Sequence, residues 1–243
     1  MLRLIAGFAL LVLASAAPAP AQTLTNAQIV RFFDLVALGN ELEKVADPRV
    51  YKWSGPIRYF VDEQVRLDAP IRGDLDRQLA KLSALTKLRF ERVGKRQDAN
   101  FLIVFTTLDR FGDSIVSSTD PQRQRHLQRL ARANCVGVYK VLPSSNAIVS
   151  ATVVIPVDHV MSRGLMHRCI VEETTQVMGL PNDDDEVEPS IFNDRARRDE
   201  LTWLDELLLR MLYNPRMTTG LRRADALAVA RQIVPELRRA VGR

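Results

Sequence analysis

The chain has 243 residues and a formal net charge of +5, with 47% hydrophobic and 26% charged residues. These proportions are those of a globular protein and exclude a disordered or low-complexity chain. Arginines gather in residues 123–132 and 222–239, but both stretches have helical periodicity and few aromatic residues. We therefore interpret them as solvated helix faces and predict no nucleic-acid partner.

The first residues have the pattern of an export signal. Residues 1–13 are almost wholly apolar apart from Arg3, and a stretch of small residues follows that ends in Ala-Pro-Ala at Ala21. A basic start, a short apolar core and a small-x-small site are typical of a secretory signal peptide. The apolar run is shorter than the roughly 20 residues of a membrane-spanning helix. We predict a signal peptide over residues 1–21, a periplasmic or secreted mature chain, and no transmembrane segment after cleavage.

Hydrophobic periodicity predicts the main elements in chain order. Apolar runs and alternations predict strands at residues 57–62, 88–93, 101–106, 136–142 and 147–155, the last two forming a hairpin at one edge of the sheet. Helical patterns occupy residues 26–41, 68–85, 120–133, 158–178, 201–213 and 222–241, and residues 108–119 are predicted to be a loop. This order predicts the α+β class, with helices packed on a mixed sheet and a helical C-terminal part.

The elements suggest three regions after the signal peptide. Residues 22–55 hold an N-terminal helix and a linker, and residues 56–220 form the main domain. Residues 221–243 form a C-terminal amphipathic helix.

The chain contains only two cysteines, Cys135 and Cys169. In an exported protein an isolated pair is a candidate disulfide, and we predict that these two residues are joined. The alternatives are a reactive thiol, which would need a histidine partner, or a metal site, which would need further cysteine or histidine ligands nearby.

The most informative stretch is the end of the helix predicted at residues 158–178 and the loop after it. Glu172 and Gln176 are four residues apart, so they share one helix face, with Glu173 beside them. Gly179 permits a sharp turn that would return the following polar residues toward that face. The candidate site residues are Glu172, Glu173, Gln176, Asn182 and Asp183.

This spacing resembles the helix of metalloproteases with the pattern H-E-x-x-H-x-x-G-x-x-H, in which three histidines hold zinc and the glutamate activates water. In this chain the three histidine positions correspond to Glu172, Gln176 and Asn182. Glu173 corresponds to the general base. The resemblance implies a zincin-like fold.

A second resemblance covers more of the chain. Ser190, Ile191, Phe192 and Asn193 are similar to the Met-turn of metzincins, with Phe192 in place of methionine. This segment, the stretch after Glu172 and a Leu-Thr-x-Leu-Asp sequence at residues 201–205 together resemble domain-of-unknown-function family 2927, which occurs in exported proteins of Proteobacteria. The resemblance extends over residues 57–220.

The departures from the protease pattern bear on function. No ligand position holds a histidine, and one carboxylate with two amide oxygens is a poor donor set for zinc, which prefers nitrogen and sulfur. We therefore predict no metal and no other cofactor. The three histidines, His126, His159 and His167, include no pair four residues apart. We interpret them as solvated or hydrogen-bonded residues rather than as a rearranged site.

The acidic residues leave two interpretations open. Glu172 and Gln176 can belong to a hydrogen-bonded network that holds the loop after Gly179. Alternatively, the same face lines a cleft and binds an oxygen-rich ligand or a hard cation through Glu172, Asp183 and Asp184.

Three functional hypotheses follow. The first is a pseudoenzyme that binds an extended peptide or an envelope protein at the edge strand, by addition of a strand to the sheet. The second is a metal-dependent peptidase with unusual ligands and Glu173 as general base. The third is a structural envelope protein with the C-terminal helix as a docking element. The sequence indicates no particular oligomeric state.

Overall fold

The computed structural model describes residues 24–39, 47–114, 133–196, 198–240 and 242. The signal peptide predicted at residues 1–21 and nearly all of the helix predicted at residues 120–133 lie outside this range. The described residues form a six-stranded sheet and seven α-helices, so the predicted α+β class is confirmed.

Six strands form one mixed sheet. They are β1 (Lys52–Trp53), β2 (Ile57–Glu63), β3 (Phe90–Arg92), β4 (Phe101–Thr106), β5 (Val136–Leu142) and β6 (Ala147–Pro156). The order is β1–β6–β4–β2–β3, with parallel pairing throughout, and β5 pairs with β6 in the antiparallel direction. Because β5 runs along β6 from Val136 to Leu142, β1 and β4 must share the opposite side of β6. The predicted hairpin is confirmed, and β5 is its edge strand.

Seven helices pack around this sheet. They are α1 (Asn26–Leu38), α2 (Ala69–Thr86), α3 (Leu108–Ser114), α4 (Val157–Ser162), α5 (Met166–Gln176), α6 (Trp203–Leu212) and α7 (Arg223–Ala240). Among the described residues no helix combines the length and the apolar character needed to cross a bilayer.

Two of the sequence-based assignments were wrong, and the stretch predicted to be a linker before residue 56 also contributes the short strand β1 to the sheet. Residues 108–119 were predicted to be a loop, but α3 occupies their first part. Its one fully buried aromatic residue, Phe111, packs with Val104, Val136 and Val154, so tertiary packing stabilises a helix that its short sequence does not indicate. The single helix predicted at residues 158–178 is two helices, because Gly164 between α4 and α5 adopts a φ of 68°.

The sheet has two faces that are covered differently. Side chains of β4 and β6 such as Phe101, Ile103 and Val153 point into the main core, which α2, α5 and α6 also enter. The alternate positions, including Val104 and Val154, point into the smaller cluster under α3. Helix α5 therefore lies on the main-core face.

The two terminal helices close the main core. Thr25 caps α1 and forms a capping box with Gln28, and α1 packs against α7. Both helices contribute fully buried residues to the main core. The bidentate ion pair between Arg223 and Asp34 joins their polar sides. The domain boundaries at residues 56 and 220 remain predictions.

Gly179 determines how the chain leaves α5. Its φ is 108°, and the backbone N–H groups of Gly179 and Leu180 donate to the carbonyl of Gln176 at 2.9 and 3.1 Å. A Cβ at this position would overlap the carbonyl oxygen of Tyr51 and would lie 3.2 Å from a methyl group of Leu212. Glycine is therefore required both for the backbone angle and for the close approach of the backbone at Tyr51.

We expect Gly179→Ala to lower the free energy of unfolding by about 3–5 kcal/mol, because the strained angle and the overlap with Tyr51 add together. Gly164→Ala is the matched control, since Gly164 also has a positive φ but has no atom within 4 Å of the added methyl group. Gly164→Ala should lower the free energy of unfolding by about 1–2 kcal/mol. Urea denaturation measures the free energy of unfolding of both variants. Equal decreases in the two variants would contradict the role assigned to the Tyr51 contact.

Candidate functional site

Helix α5 has one apolar side and one polar side. Ile170 and Val171 are buried in the main core, and on the same side Gln78 of α2 donates to the carbonyl of Val171 and the hydroxyl of Thr175 at 3.2 and 3.0 Å. These bonds satisfy a buried amide and fix α5 against α2. The polar side of α5 is thereby held at one orientation.

A cleft of about 830 Å³ opens between this polar side and the start of β5. Four of the five predicted site residues line it: Glu172, Glu173, Gln176 and Asp183. Cys135, Val136 and Gly137 form the opposite wall. The structure therefore brings most of the predicted residues together at the edge of the sheet.

Glu172 occupies the first histidine position of the protease pattern, and its carboxylate is bonded to Arg168. Arg168 donates to both oxygens of Glu172, at 2.9 and 3.2 Å, and to Asp194 at 2.9 Å. Arg168 and Glu172 are both buried. The hydrogen bond to Glu172 raises the pKa of Arg168 above its usual value, and the charge of Asp194 acts in the same direction, against the effect of burial. Glu172 thus belongs to a buried ion pair.

Glu173 lies against the edge strand. A Cβ built at Gly137 of β5 would lie 3.1 Å from Oε2 of Glu173, 3.0 Å from its carbonyl oxygen and 2.9 Å from a methyl group of Val177. The missing side chain at Gly137 therefore makes room for the carboxylate of Glu173 at the cleft wall.

Gln176 and Asp183 form the far end of the cleft. The amide of Gln176 donates to both oxygens of Asp183, at 2.9 and 3.1 Å. This contact ties the loop after Gly179 back to α5. Glycine at position 179 thus returns Asp183 to the helix face.

Asn182 points elsewhere. Its side-chain amide donates to the carbonyl of Leu35 at 2.9 Å, and its backbone N–H donates to Val36 at 3.2 Å. It does not line the cleft. The structure therefore places Asn182 at the end of α1, apart from the four residues that converge.

The segment that resembles a Met-turn is buried beside α5. Ser190, Ile191 and Phe192 are fully buried, and Asp205 of α6 holds them. Asp205 accepts from the Ser190 hydroxyl at 2.5 Å and from the backbone N–H groups of Ile191 and Thr202 at 3.0 and 2.8 Å. Burial raises the pKa of the Asp205 carboxyl, and these hydrogen bonds oppose that shift. One carboxylate thus both caps α6 and organises the turn.

Asn193 completes the turn from the other side. Its amide donates to the carbonyls of Asp185 and Val187, at 2.9 and 3.2 Å, and its side-chain oxygen accepts from the backbone of Arg195 and Ala196. The turn residues therefore have structural partners, and they support the acidic loop that leads into the cleft.

The predicted disulfide is confirmed. Cys135 and Cys169 are bonded, with their Cα atoms 6.0 Å apart, and both line the cleft. The bond joins the residue before β5 to the first half of α5. It therefore links the two walls between which the cleft opens.

The histidines lie outside the cleft lining as far as the described residues show. His167 is bonded to Asp74 and Glu200, at 3.2 and 2.8 Å, and His159 is bonded to Asn134 at 3.0 Å. His126 lies outside the described residues. Within the described part of the chain, no three His, Cys, Asp or Glu side chains form a group that could hold a metal ion.

Sequence reasoning missed two residues of the site, Arg168 and Gly137. Arg168 stands four residues before Glu172, a spacing that indicates an ion pair on a helix face. Gly137 interrupts an apolar strand, which often marks a close backbone approach. Both signals were present in the sequence, but neither indicates by itself which helix, strand or loop makes the contact.

We expect Asp205→Ala to lower the free energy of unfolding by about 3–5 kcal/mol, because two backbone N–H groups and the Ser190 hydroxyl lose a buried acceptor. Glu206→Ala is the matched control in the same helical turn, since Glu206 forms only a partly exposed ion pair with Lys81. That pair should contribute about 1 kcal/mol or less. Urea denaturation compares the two, and similar losses would show that Asp205 does not hold the turn.

Comparisons with known proteins test the family resemblance seen in the sequence. A search of curated proteins found no match to the chain. The model of one family, described as protein of unknown function DUF2927, matches residues 26–232, which include every residue of the cleft described above. The chain belongs to the DUF2927 family.

Proposed function

We propose that this protein binds an extended peptide, which adds a strand to the sheet at the edge of β5 that faces away from β6 and lies over the cleft beside α5. The observation that carries the proposal is the direction of the β5 backbone at Gly137 and Tyr139. Among the described residues β5 pairs only with β6.

The hydrogen bonding of β6 gives that direction. The N–H of Ala151 donates toward β4, to the carbonyl of Asn100 at 2.9 Å. Residues of one strand alternate in the side to which their backbone groups point, so Ser150 and Thr152 point toward β5. Tyr139 is opposite Ala151 and forms a non-hydrogen-bonded pair with it. The N–H and C=O groups of Tyr139, and of Gly137 two residues earlier, therefore point away from β6.

An added peptide strand would use these main-chain groups. The cleft begins at Gly137, so side chains of a bound peptide would have space to enter it. The donor set argues for binding rather than metal catalysis, because Glu172 is bonded to Arg168 and Gln176 to Asp183. We therefore propose that the site works without zinc.

The zincin likeness belongs to this proposal. It is supported by a glycine-terminated helix beside an antiparallel edge strand and by a buried turn next to that helix. Export is proposed with it, and the disulfide supports that part, since such bonds persist in oxidising compartments.

The test removes one main-chain donor from the edge. We expect Tyr139→Pro to abolish binding, because proline lacks the N–H that a peptide would use while the β5–β6 ladder stays intact. Tyr139→Ala is the matched control, since it removes the same side chain but keeps the N–H. The probe is an array of short extended peptides of varied sequence, with binding measured by fluorescence polarisation.

Equal binding by the proline and alanine variants, or no peptide bound by the unaltered protein, would contradict strand addition. The peptidase alternative has its own outcome. If mass spectrometry shows that bound peptides are cleaved, and Glu173→Gln abolishes the cleavage, the protein is an enzyme and the pseudoenzyme proposal is wrong.

A further inference from the structure

His167 lies between two carboxylates that come from different parts of the chain. Its Nδ1 atom is 3.2 Å from Oδ2 of Asp74 in α2, and its Nε2 atom is 2.8 Å from Oε1 of Glu200, which precedes α6. Arg77, one turn along α2, also binds Asp74. The described residues of α4, β5 and β6, which contact α5 as well, place no charged group against the ring. The ring of His167 therefore joins α5 both to α2 and to the segment before α6.

The two contacts together require the charged form of the ring. An ionised carboxylate only accepts hydrogen bonds, and a neutral imidazole has one N–H group, so it can donate to only one of two carboxylates. Its second nitrogen would then turn a lone pair toward the other carboxylate, and two acceptors at this distance repel each other. An imidazolium ring has two N–H donors and satisfies both partners. The observed geometry is therefore that of protonated His167.

The same carboxylates stabilise the charge of the ring. Burial by itself would lower the pKa of His167, but the hydrogen bonds to Glu200 and Asp74, together with their charges, outweigh burial and raise this pKa above its usual value of 6.5. The resulting stabilisation is fully present below the pKa of the unfolded chain, and it is lost as the pH rises through the pKa of the folded chain. Acidic conditions thus strengthen the contact, and a rise in pH weakens it.

The contact with Glu200 is the one that opens when the ring is neutral. The buried amide of Gln78 joins α2 to α5 independently, so Asp74 stays beside α5 without help from His167. The side chain of Glu200 is 68% exposed, against 21% for Asp74. Among the described residues, His167 is the one hydrogen-bond partner of Glu200.

The segment that contains Glu200, residues 198–200, borders the cleft through Asp199. Its other side-chain contact within the described part of the chain is the exposed ion pair of Arg198 with Glu188. An exposed ion pair of this kind holds a backbone only weakly. The contact with His167 therefore largely determines whether these residues are ordered.

We propose that His167 is a pH-dependent clamp, which holds residues 198–200 beside α5 when its ring is protonated and releases them when the ring is neutral. Because these residues border the cleft, pH changes the order of one of its edges. The clamp is independent of the proposed strand addition, since it involves neither β5 nor Glu173.

Two NMR measurements on the intact protein test the clamp. A titration gives the pKa of His167, whose ring signals are identified by their absence from His167→Gln, and we expect this pKa to exceed 6.5. Relaxation of the Cα nuclei gives the order parameters of residues 198–200 without interference from amide exchange. We expect these values to fall from about 0.85 to about 0.6 or less as the ring loses its proton.

Two variants distinguish the clamp from a general effect of pH. Glu200→Gln removes the exposed carboxylate with little change of shape, so it should lower the pKa of His167 and remove the pH dependence of the order parameters. His159→Gln is the matched control, because His159 is bonded to the uncharged side chain of Asn134 rather than to a carboxylate. It should leave the pKa of His167 and the pH dependence unchanged.

Three outcomes would overturn the proposal. The first is a pKa of His167 at or below 6.5. The second is a set of order parameters for residues 198–200 that stays constant while the ring loses its proton, because the contact would then hold in both forms. The third is a pH dependence that persists in Glu200→Gln or His167→Gln, which would assign the motion to another group.

Discussion

Helix α5 and strand β5 approach so closely at Gly137 that a methyl group there would contact both Glu173 and Val177. The cleft depends on this approach, since it brings a polar helix face to the edge of a sheet. The Cys135–Cys169 bond secures the same contact. It closes a loop with a sequence separation of 34, which on the chain-entropy account stabilises the fold by about 3–4 kcal/mol. Residue 137 therefore has to lack a side chain, while its backbone N–H and C=O groups point away from β6.

The polar residues of α5 are held by contacts within the helix and with the loop that follows it. Glu172 forms an ion pair with Arg168, and Gln176 holds Asp183. A buried polar group lowers the stability of the fold unless it has a hydrogen-bond or ion-pair partner. Both contacts supply such a partner on the side of α5 that faces the loop after Gly179. Glu172 and Gln176 therefore belong to a structural network that also lines a cleft, and binding of an oxygen-rich ligand or a cation there stays a prediction.

The sequence predicted most of the elements and the convergence of four site residues. Periodicity was sufficient for β4 and β6, whose apolar runs are buried between neighbours, and for α6 and α7. It failed at α3, where one buried phenylalanine stabilises a short helix through tertiary contact. Spacing on a helix placed Glu172 and Gln176 on one side, because that geometry is local.

The position of Asn182 could not be predicted in the same way. Its side chain bonds the carbonyl of Leu35, far away in the sequence, and no local pattern indicates such a partner. The direction of a loop after a glycine depends on what packs against it. For Gly179 that neighbour is the carbonyl of Tyr51, and for Asn182 it is the end of α1.

The proposed binding mode is physically independent of the side chains at positions 172, 176 and 182. Strand addition uses the N–H and C=O groups of β5, and these are fixed by the pairing with β6 rather than by any side chain of α5. Changes at positions 172, 176 and 182 leave those groups where they are, provided that α5 still packs against Gly137. The ion pair of Glu172 and the hydrogen bond of Gln176 are therefore compatible with the proposed strand addition at β5.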